Sequence, residues 1–572
     1  MSHLRELTAA LMPHLMLAPI ALPMFTGALL LLVREEQQRL KLGISVLSTL
    51  TGLVVAIALL QWAHRNPATG MGVYLPGNWP APFGIVLVLD RLTALMLLLT
   101  SLVALCSVLF AGARWQRAGV LYHPLFQLQL MGLSGAFLTG DLFNLFVFFE
   151  IMLAASYGLL LHGSGRARVQ SGLHYIAINL VASSLFLVGA AMLYALTGTL
   201  NMADLAQAVP QVSSADRGLL HAAAAILATA FLIKAACWPL NFWLVPAYSA
   251  ATAPVGALFA LMTKVGLYAL LRLWSLLFGA EAGPSAQFGS LWLIVGGMAT
   301  MVFGAIGMMG SQRLTHLASH AAVLSSGTLL AAAGFGQSML TAGLLYYLPS
   351  STLAVAALFL LADLNERWRN DGATLAPYES DDDAPFLSAE LVPTAGLNLD
   401  DDEQVLVGRV IPAATAFMGL AFLMSTLVIA GLPPLSGFVG KFAMLTSLLN
   451  PLGLSMSAGL DPGPIGWTLL ALMISTGLVA LMALTRAGIR HYWAAPERAK
   501  PQLHLLEGLP IALLLGACVA LTVQADGVMR FTTATAHALN APAGYVRAVL
   551  DATPRPSPAP DAAQPTVNKA VP

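Results

Sequence analysis

Charge is what this chain is short of. Asp, Glu, Lys and Arg together supply only 9% of its 572 residues, where soluble domains carry roughly 25%. With 58% hydrophobic residues, the composition is that of a polytopic membrane protein. Neither sign of charge dominates: 27 Lys and Arg balance 27 Asp and Glu, so no bulk field attracts nucleic acid. Cysteine is scarce too. Cys106, Cys237 and Cys518 all fall in apolar segments, and their spacing suits neither a metal cluster nor a disulfide framework. The sequence carries no nucleotide-binding fingerprint and no nucleophile–base constellation, which argues against an autonomous enzyme and implies no cofactor. A cleavable signal pattern is missing as well. The first apolar run is long enough to span a bilayer and is expected to stay in the protein.

What is there is long apolar runs. With ~20 apolar residues per membrane helix as the template, the expected fold is all-α with about fourteen transmembrane spans. They cover 13–33, 42–62, 88–112, 122–139, 142–162, 173–195, 219–247, 252–278, 289–310, 315–335, 338–363, 411–450, 464–486 and 506–525. The seventh and twelfth are too long and carry prolines, so each reads as one helix in two broken halves. Fifteen Lys and Arg follow the odd-numbered spans, and five lie on the opposite side when the C-terminal tail is left out. By the positive-inside rule the odd loops are cytoplasmic and both termini face the other side. Residues 371–403 hold ten of the 27 acids and read as a solvated cytoplasmic loop, with cation attraction or partner docking as the alternative. The Pro- and Ala-rich tail, 553–572, reads as disordered.

Four ionisable residues sit deep in these runs: Glu150, Lys234, Lys264 and Lys441. A lysine at mid-membrane depth costs at least ~3 kcal/mol, so it is usually paired, hydrated or functional. The plainer alternative is a lysine that snorkels from a helix end. Pro239 follows Lys234, and Pro433 and Pro434 precede Lys441. A broken helix at membrane depth survives only where protein or a water-filled cavity satisfies its free backbone groups. Two such breaks, each beside a lysine, are the mark of a transporter built from repeats. Glu150 is expected to pair with Lys234, since a buried carboxylate without a partner would protonate. Asp141 lies nine residues earlier, about 13 Å along a helix, and is placed near the span's end as an accessory relay. His320 could join the relay or serve as an ordinary interfacial histidine. Ser249, Thr252, Thr263, Ser325 and Ser326 could hold water between the charged groups.

The stretches TGDLFNLFVFFEIMLAASY, KAACWPLNFWL, TKVGLYALLRLW and AGLPPLSGFVGKFAML, with RAGIRHYW and the acidic insert ending DDDEQVLVGRVIP, resemble the D subunit of the Mrp/Pha-type multisubunit cation/proton antiporters. That family is similar to the antiporter-like subunits of respiratory complex I. The resemblance runs from span three to span thirteen. It implies two inverted five-helix repeats, 122–278 and 289–486, the second with an insert at 364–410. Residues 1–121 form the first three helices, and 487–552 hold the last helix and its flanks. The resemblance further implies that Glu150, Lys234, Lys264 and Lys441 form a proton path in the membrane plane. It implies partners like the A, C and E/F/G subunits of those complexes, exchange of H+ against K+ or Na+, and residence in the bacterial inner membrane. This sequence also departs from its complex I relatives. Asn241 stands in PLNFWLVPAY where they carry histidine, and Pro349, Ser350 and Val355 stand at span-eleven positions where many hold histidine or lysine. Span ten has Leu324 and Ser325 where histidine is frequent. The second half is thus poorer in protonatable groups, and a route from Lys264 to Lys441 needs more water. Membership of a redox-driven pump and a non-catalytic scaffold role are the competing readings.

Overall fold

The computed structural model describes residues 14–65, 71–373, 412–450, 461–493 and 503–554. Most of the acidic stretch and nearly all of the Pro-rich tail lie outside those residues. The described residues are helical almost throughout. The helices are α1 (Ala18–Leu32), α2 (Gln38–Arg65), α3 (Arg91–Ala113), α4 (Tyr122–Leu138), α5 (Leu142–Leu161), α6 (Arg166–Thr197), α7 (Met202–Ala208), α8 (Arg217–Lys234), α9 (Leu244–Ala250) and α10 (Ala253–Phe259). They continue as α11 (Met262–Leu277), α12 (Ser290–Gly310), α13 (Leu314–Gly334), α14 (Ser338–Ala373), α15 (Ala413–Ala430), α16 (Ser436–Leu449), α17 (Gly463–Gly488), α18 (Leu505–Val523), α19 (Ala525–Asn540) and α20 (Ala543–Leu550). An antiparallel hairpin, β1 (Gly72–Tyr74) with β2 (Leu87–Leu89), pairs Val73 with Val88. The apolar-run template does not anticipate it.

Twelve of these helical stretches, counting α10 with α11 as one, are long and apolar enough to cross a bilayer. Each of the fourteen expected spans coincides with helix, although α1 and α4 are only 15 and 17 residues long. Boundaries differ most at span eleven. It continues as helix to Ala373 because NERWRN keeps good helix formers past the apolar run. The most apolar windows of Ala253–Leu277 and Ser338–Trp368 are wholly buried. These two stretches form the centre, and more lipid-facing helices surround them. A helix buried on all sides has no polar face to spare, so every polar residue on these two stretches needs a partner inside the protein.

The two interrupted spans break in the same way. At the end of α8 the Ala236 amide bonds to the Ile233 carbonyl (3.1 Å) and the Cys237 amide to Leu232 (3.0 Å), with Ala236 left-handed at φ +54°. At the end of α15 the Gly431 and Leu432 amides both reach the Leu427 carbonyl (3.0 and 2.9 Å), with Gly431 left-handed at φ +80°. Both are helix closures through a left-handed residue. A proline follows each three residues later, at Pro239 and Pro434, and forbids resumption of the ladder. The chain re-enters helix at Leu244 in one break and at Ser436 in the other. The lysines do not occupy matching places: Lys234 ends the first half of its span, whereas Lys441 lies in the second half of its own. A third, slighter interruption at Ala260 and Leu261 separates α10 from α11, just before Lys264. The sequence reading treats that span as continuous.

Candidate functional site

Glu150, near the middle of α5, is half-buried and accepts a hydrogen bond from the Ser183 hydroxyl on α6. Lys234 is buried, 4% exposed. Its ammonium lies 5.4 Å from the centre of the Phe149 ring, and its Nζ has no hydrogen-bond partner in the protein. Glu150 acts on Lys234 electrostatically, but the two do not touch as an ion pair: no salt bridge joins them within 4.0 Å. The expected contact pair is therefore corrected to a coupled pair at longer range. The reason is local. The rings of Phe149, Phe186 and Phe231 pack edge to face where α5, α6 and α8 meet. The ammonium takes the negative face of Phe149 instead.

Lys264 sits on α11 close to the end of α8. That approach depends on Gly266, where a Cβ would fall 2.7 Å from the Ala235 amide nitrogen and the Phe231 carbonyl. The Lys264 ammonium donates to Thr263 Oγ1 (3.2 Å) and Ser325 Oγ (3.1 Å). Ser325 in turn donates to Ser351 Oγ at 2.8 Å. Its neighbour Ser326 donates to the Ala235 carbonyl at the end of α8. One serine pair on α13 thus touches both the Lys264 ammonium and the break beside Lys234.

From there hydroxyls lead towards Lys441. The Tyr347 hydroxyl adjoins Thr328 and Ser325, and the Lys441 ammonium lies 5.9 Å from the centre of the Tyr347 ring. Lys441 donates to the Ile429 and Ala430 carbonyls at 3.1 and 2.9 Å. These belong to the C-terminal end of α15, the negative pole of a half-helix, which favours a cation. Ser350 and Ser436 share a hydrogen bond of 2.7 Å alongside. Tyr347 and Ser351 escaped the sequence reading because hydroxyls are common in membrane helices. The only available signal was their crowding in YYLPSST.

The other predicted residues lie apart from this line. Asp141 caps α5 and accepts from the Asn144 amide at 2.8 Å. Burial pushes its carboxyl up, against the pull of the Asn144 and Phe143 amides. His320 bonds Ser311 (3.2 Å) and the His316 carbonyl (3.0 Å) and packs on Gly307. It makes no hydrogen bond to the Lys264 group. Ser249 bonds only the Pro246 carbonyl. Buried Thr252 and Tyr248 and half-buried Tyr157 have unpartnered hydroxyls, and the buried Asn241 amide nitrogen is also unpartnered. Pro239, Pro433 and Pro434 sit at the breaks, exposed on the outer face of the helix bundle.

Residues 139–379 match the family model described as "NADH:quinone oxidoreductase/Mrp antiporter, TM". The D subunit of a probable K(+)/H(+) antiporter of Rhizobium meliloti is 48% identical over 541 residues, 94% of this chain and 98% of that protein. The chain belongs to the D-subunit family of Mrp antiporters. The D subunit of a Na(+)/H(+) antiporter of Alkalihalophilus pseudofirmus is a further relative, 32% identical across 94% of this chain and all of its own length. A chain in the Mrp complex of Dietzia sp. DQ12-45-1b superposes with a TM-score of 0.77 at 25% identity, covering 94% of this chain and 99% of that one. The protein is a multi-pass membrane protein.

Proposed function

We propose that this chain is the proton-translocating subunit of a multisubunit K+(Na+)/H+ antiporter of a bacterial inner membrane. One observation carries the reading. Buried Lys234, Lys264 and Lys441 and half-buried Glu150 occur in one helix bundle, and hydroxyls lead from Lys264 to the Tyr347 ring beside Lys441. Each ionisable group costs several kcal/mol at that depth without a role. Glu150 holds the negative charge that tunes Lys234. Lys234 passes a proton across the end of α8 to Lys264. The Ser325, Ser351 and Tyr347 hydroxyls, with water, hand it on to Lys441. Full-length likeness to K+ and Na+ antiporter subunits supports cation/proton exchange over redox pumping. It also supports partners equivalent to the other antiporter subunits, with repeats at 122–278 and 289–486. Odd loops cytoplasmic and both termini outside remains the proposed orientation. Lys41 and Arg272, counted among the charges in loops and at span ends, are buried, one from each side, so the asymmetry stands.

The test is exchange in everted vesicles from cells carrying the whole complex, with K+ and Na+ compared. Lys234→Ala is expected to abolish exchange while the complex remains in the membrane. Exchange at the wild-type rate in that variant would sink the proposal.

A further inference from the structure

Helix α11 carries more than Lys264 on one face. Tyr268 and Arg272 follow at the fourth and eighth positions, on the same side of a helix, so the strip reaches ~12 Å from Lys264 towards the end of α11. The Tyr268 hydroxyl donates to the Phe137 carbonyl at 2.5 Å and lies 3.1 Å from Thr93 Oγ1. The Thr93 amide donates to Asp90 Oδ1 at 2.8 Å. One Arg272 nitrogen lies 2.7 Å from each Asp90 oxygen and 3.4 Å from Thr93 Oγ1. The strip also continues inwards as buried polar atoms without partners. Gln129 stands two turns before Phe137 on α4, and Thr100 two turns beyond Thr93 on α3. Both Gln129 amide atoms and the Thr100 hydroxyl lack a hydrogen bond.

With water between its groups, this strip would be a second way out. It leads from the depth of Lys264 to the membrane face that holds Gly140, Asn201 and the C-terminal α20, and it bypasses Lys441. Its outer end is closed by charge. Arg272 and Asp90 are 4% and 7% exposed, and the guanidinium lies 5.2 Å from the ring of Tyr545 on α20. A guanidinium cannot give up its proton, and a fixed cation in a narrow path excludes protons. Asp90 is held on both oxygens, Oδ1 by the Thr93 amide and Arg272 and Oδ2 by Arg272 alone, so the fixed cation stands against the carboxylate that would otherwise take up a proton.

We infer that the Asp90–Arg272 pair is a proton plug. It closes the short exit from Lys264 so that protons must travel on to Lys441. The plug rests on the proposed proton path, but its test does not use exchange. The complete complex is reconstituted in liposomes free of K+ and Na+, with a permeant anion, and passive collapse of an imposed pH gradient is followed with a trapped dye. Removing the cation while keeping the carboxylate turns Asp90 into a carrier: it takes a proton from outer water and gives it to the Thr93 or Tyr268 hydroxyl, which releases its own proton through water to the Lys264 amine. Arg272→Met is therefore expected to collapse the gradient several-fold faster than wild type. The double change Asp90→Asn with Arg272→Met, which leaves no carrier, is expected to return the rate to wild type. An Arg272→Met complex that is present and no leakier than wild type overturns the plug. A double variant as leaky as the single one also overturns it, because that leak would come from damaged packing. If Arg272→Met does not assemble, Arg272→Gln keeps a donor to Asp90 without the charge, and the same outcomes decide.

Discussion

Lys441 shows how a charge can be held in an apolar core without a counter-ion. Its ammonium rests on two carbonyls at the end of a half-helix, where the helix dipole supplies the negative pole. Gly431 makes room for it: a Cβ there would fall 2.4 Å from Lys441 Cδ, in a left-handed conformation that costs other residues ~1–2 kcal/mol. Gly431→Ala is thus expected to push the ammonium off its carbonyls and lower exchange at least tenfold, as Lys441→Met should. Exchange per assembled complex measures both. Glu150 works by charge at a distance. Glu150→Gln keeps a partner for Ser183 and removes the field on Lys234, and it too is expected to cost tenfold or more in exchange. Glu150→Asp should retain part of the rate. A Gln variant as active as wild type would mean that the carboxylate serves only to bond Ser183.

Among the elements, α11 and α13 bring the two halves together. Gly266 lets α11 lie directly on the end of α8. Even one added methyl must shift backbone there, and such overpacking costs ~1–3 kcal/mol. Gly266→Val should lower the thermal unfolding midpoint of the purified complex and its amount in the membrane; an unchanged midpoint would show the contact to be slack. On α13, Ser325 links Lys264 to Ser351. Replacing Ser325 and Ser351 by alanine is expected to slow exchange severalfold with the complex intact, because only water would then bridge Lys264 and Tyr347. If the rate holds, protons reach Lys441 by another way.

For the whole molecule, the prediction concerns sidedness. The described native cysteines, Cys106, Cys237 and Cys518, are all buried, so an introduced cysteine reports cleanly. Glu36 and Ser214 are exposed in loops after the first and sixth spans. Glu36→Cys should react with an impermeant thiol reagent only from the cytoplasm, and Ser214→Cys only from outside. The opposite pattern would reverse the orientation. The architecture itself was largely legible beforehand, because ~20 apolar residues per crossing leave a one-dimensional mark that needs no partner to be read. The breaks were legible for a similar reason, since proline acts on its own backbone. The β1–β2 hairpin and the kink before Lys264 were not, because three-residue strands and a two-residue turn leave no periodicity.

Taken alone, the sequence determined that the chain crosses a membrane many times. It also determined that Glu150, Lys234, Lys264 and Lys441 lie at depth, because the cost of charge in lipid is a property of each residue and its neighbours along the chain. Tertiary structure alone decided what those groups touch. It set the Lys234 ammonium against the Phe149 ring and not in a salt bridge with Glu150, gave Lys441 two carbonyls, and joined Lys264 to a hydroxyl on another helix. It also turned Arg272, which reads as a charge at a span end, into the partner of Asp90, 182 residues away. Such contacts depend on distances between helices far apart in the chain, and no local pattern encodes them.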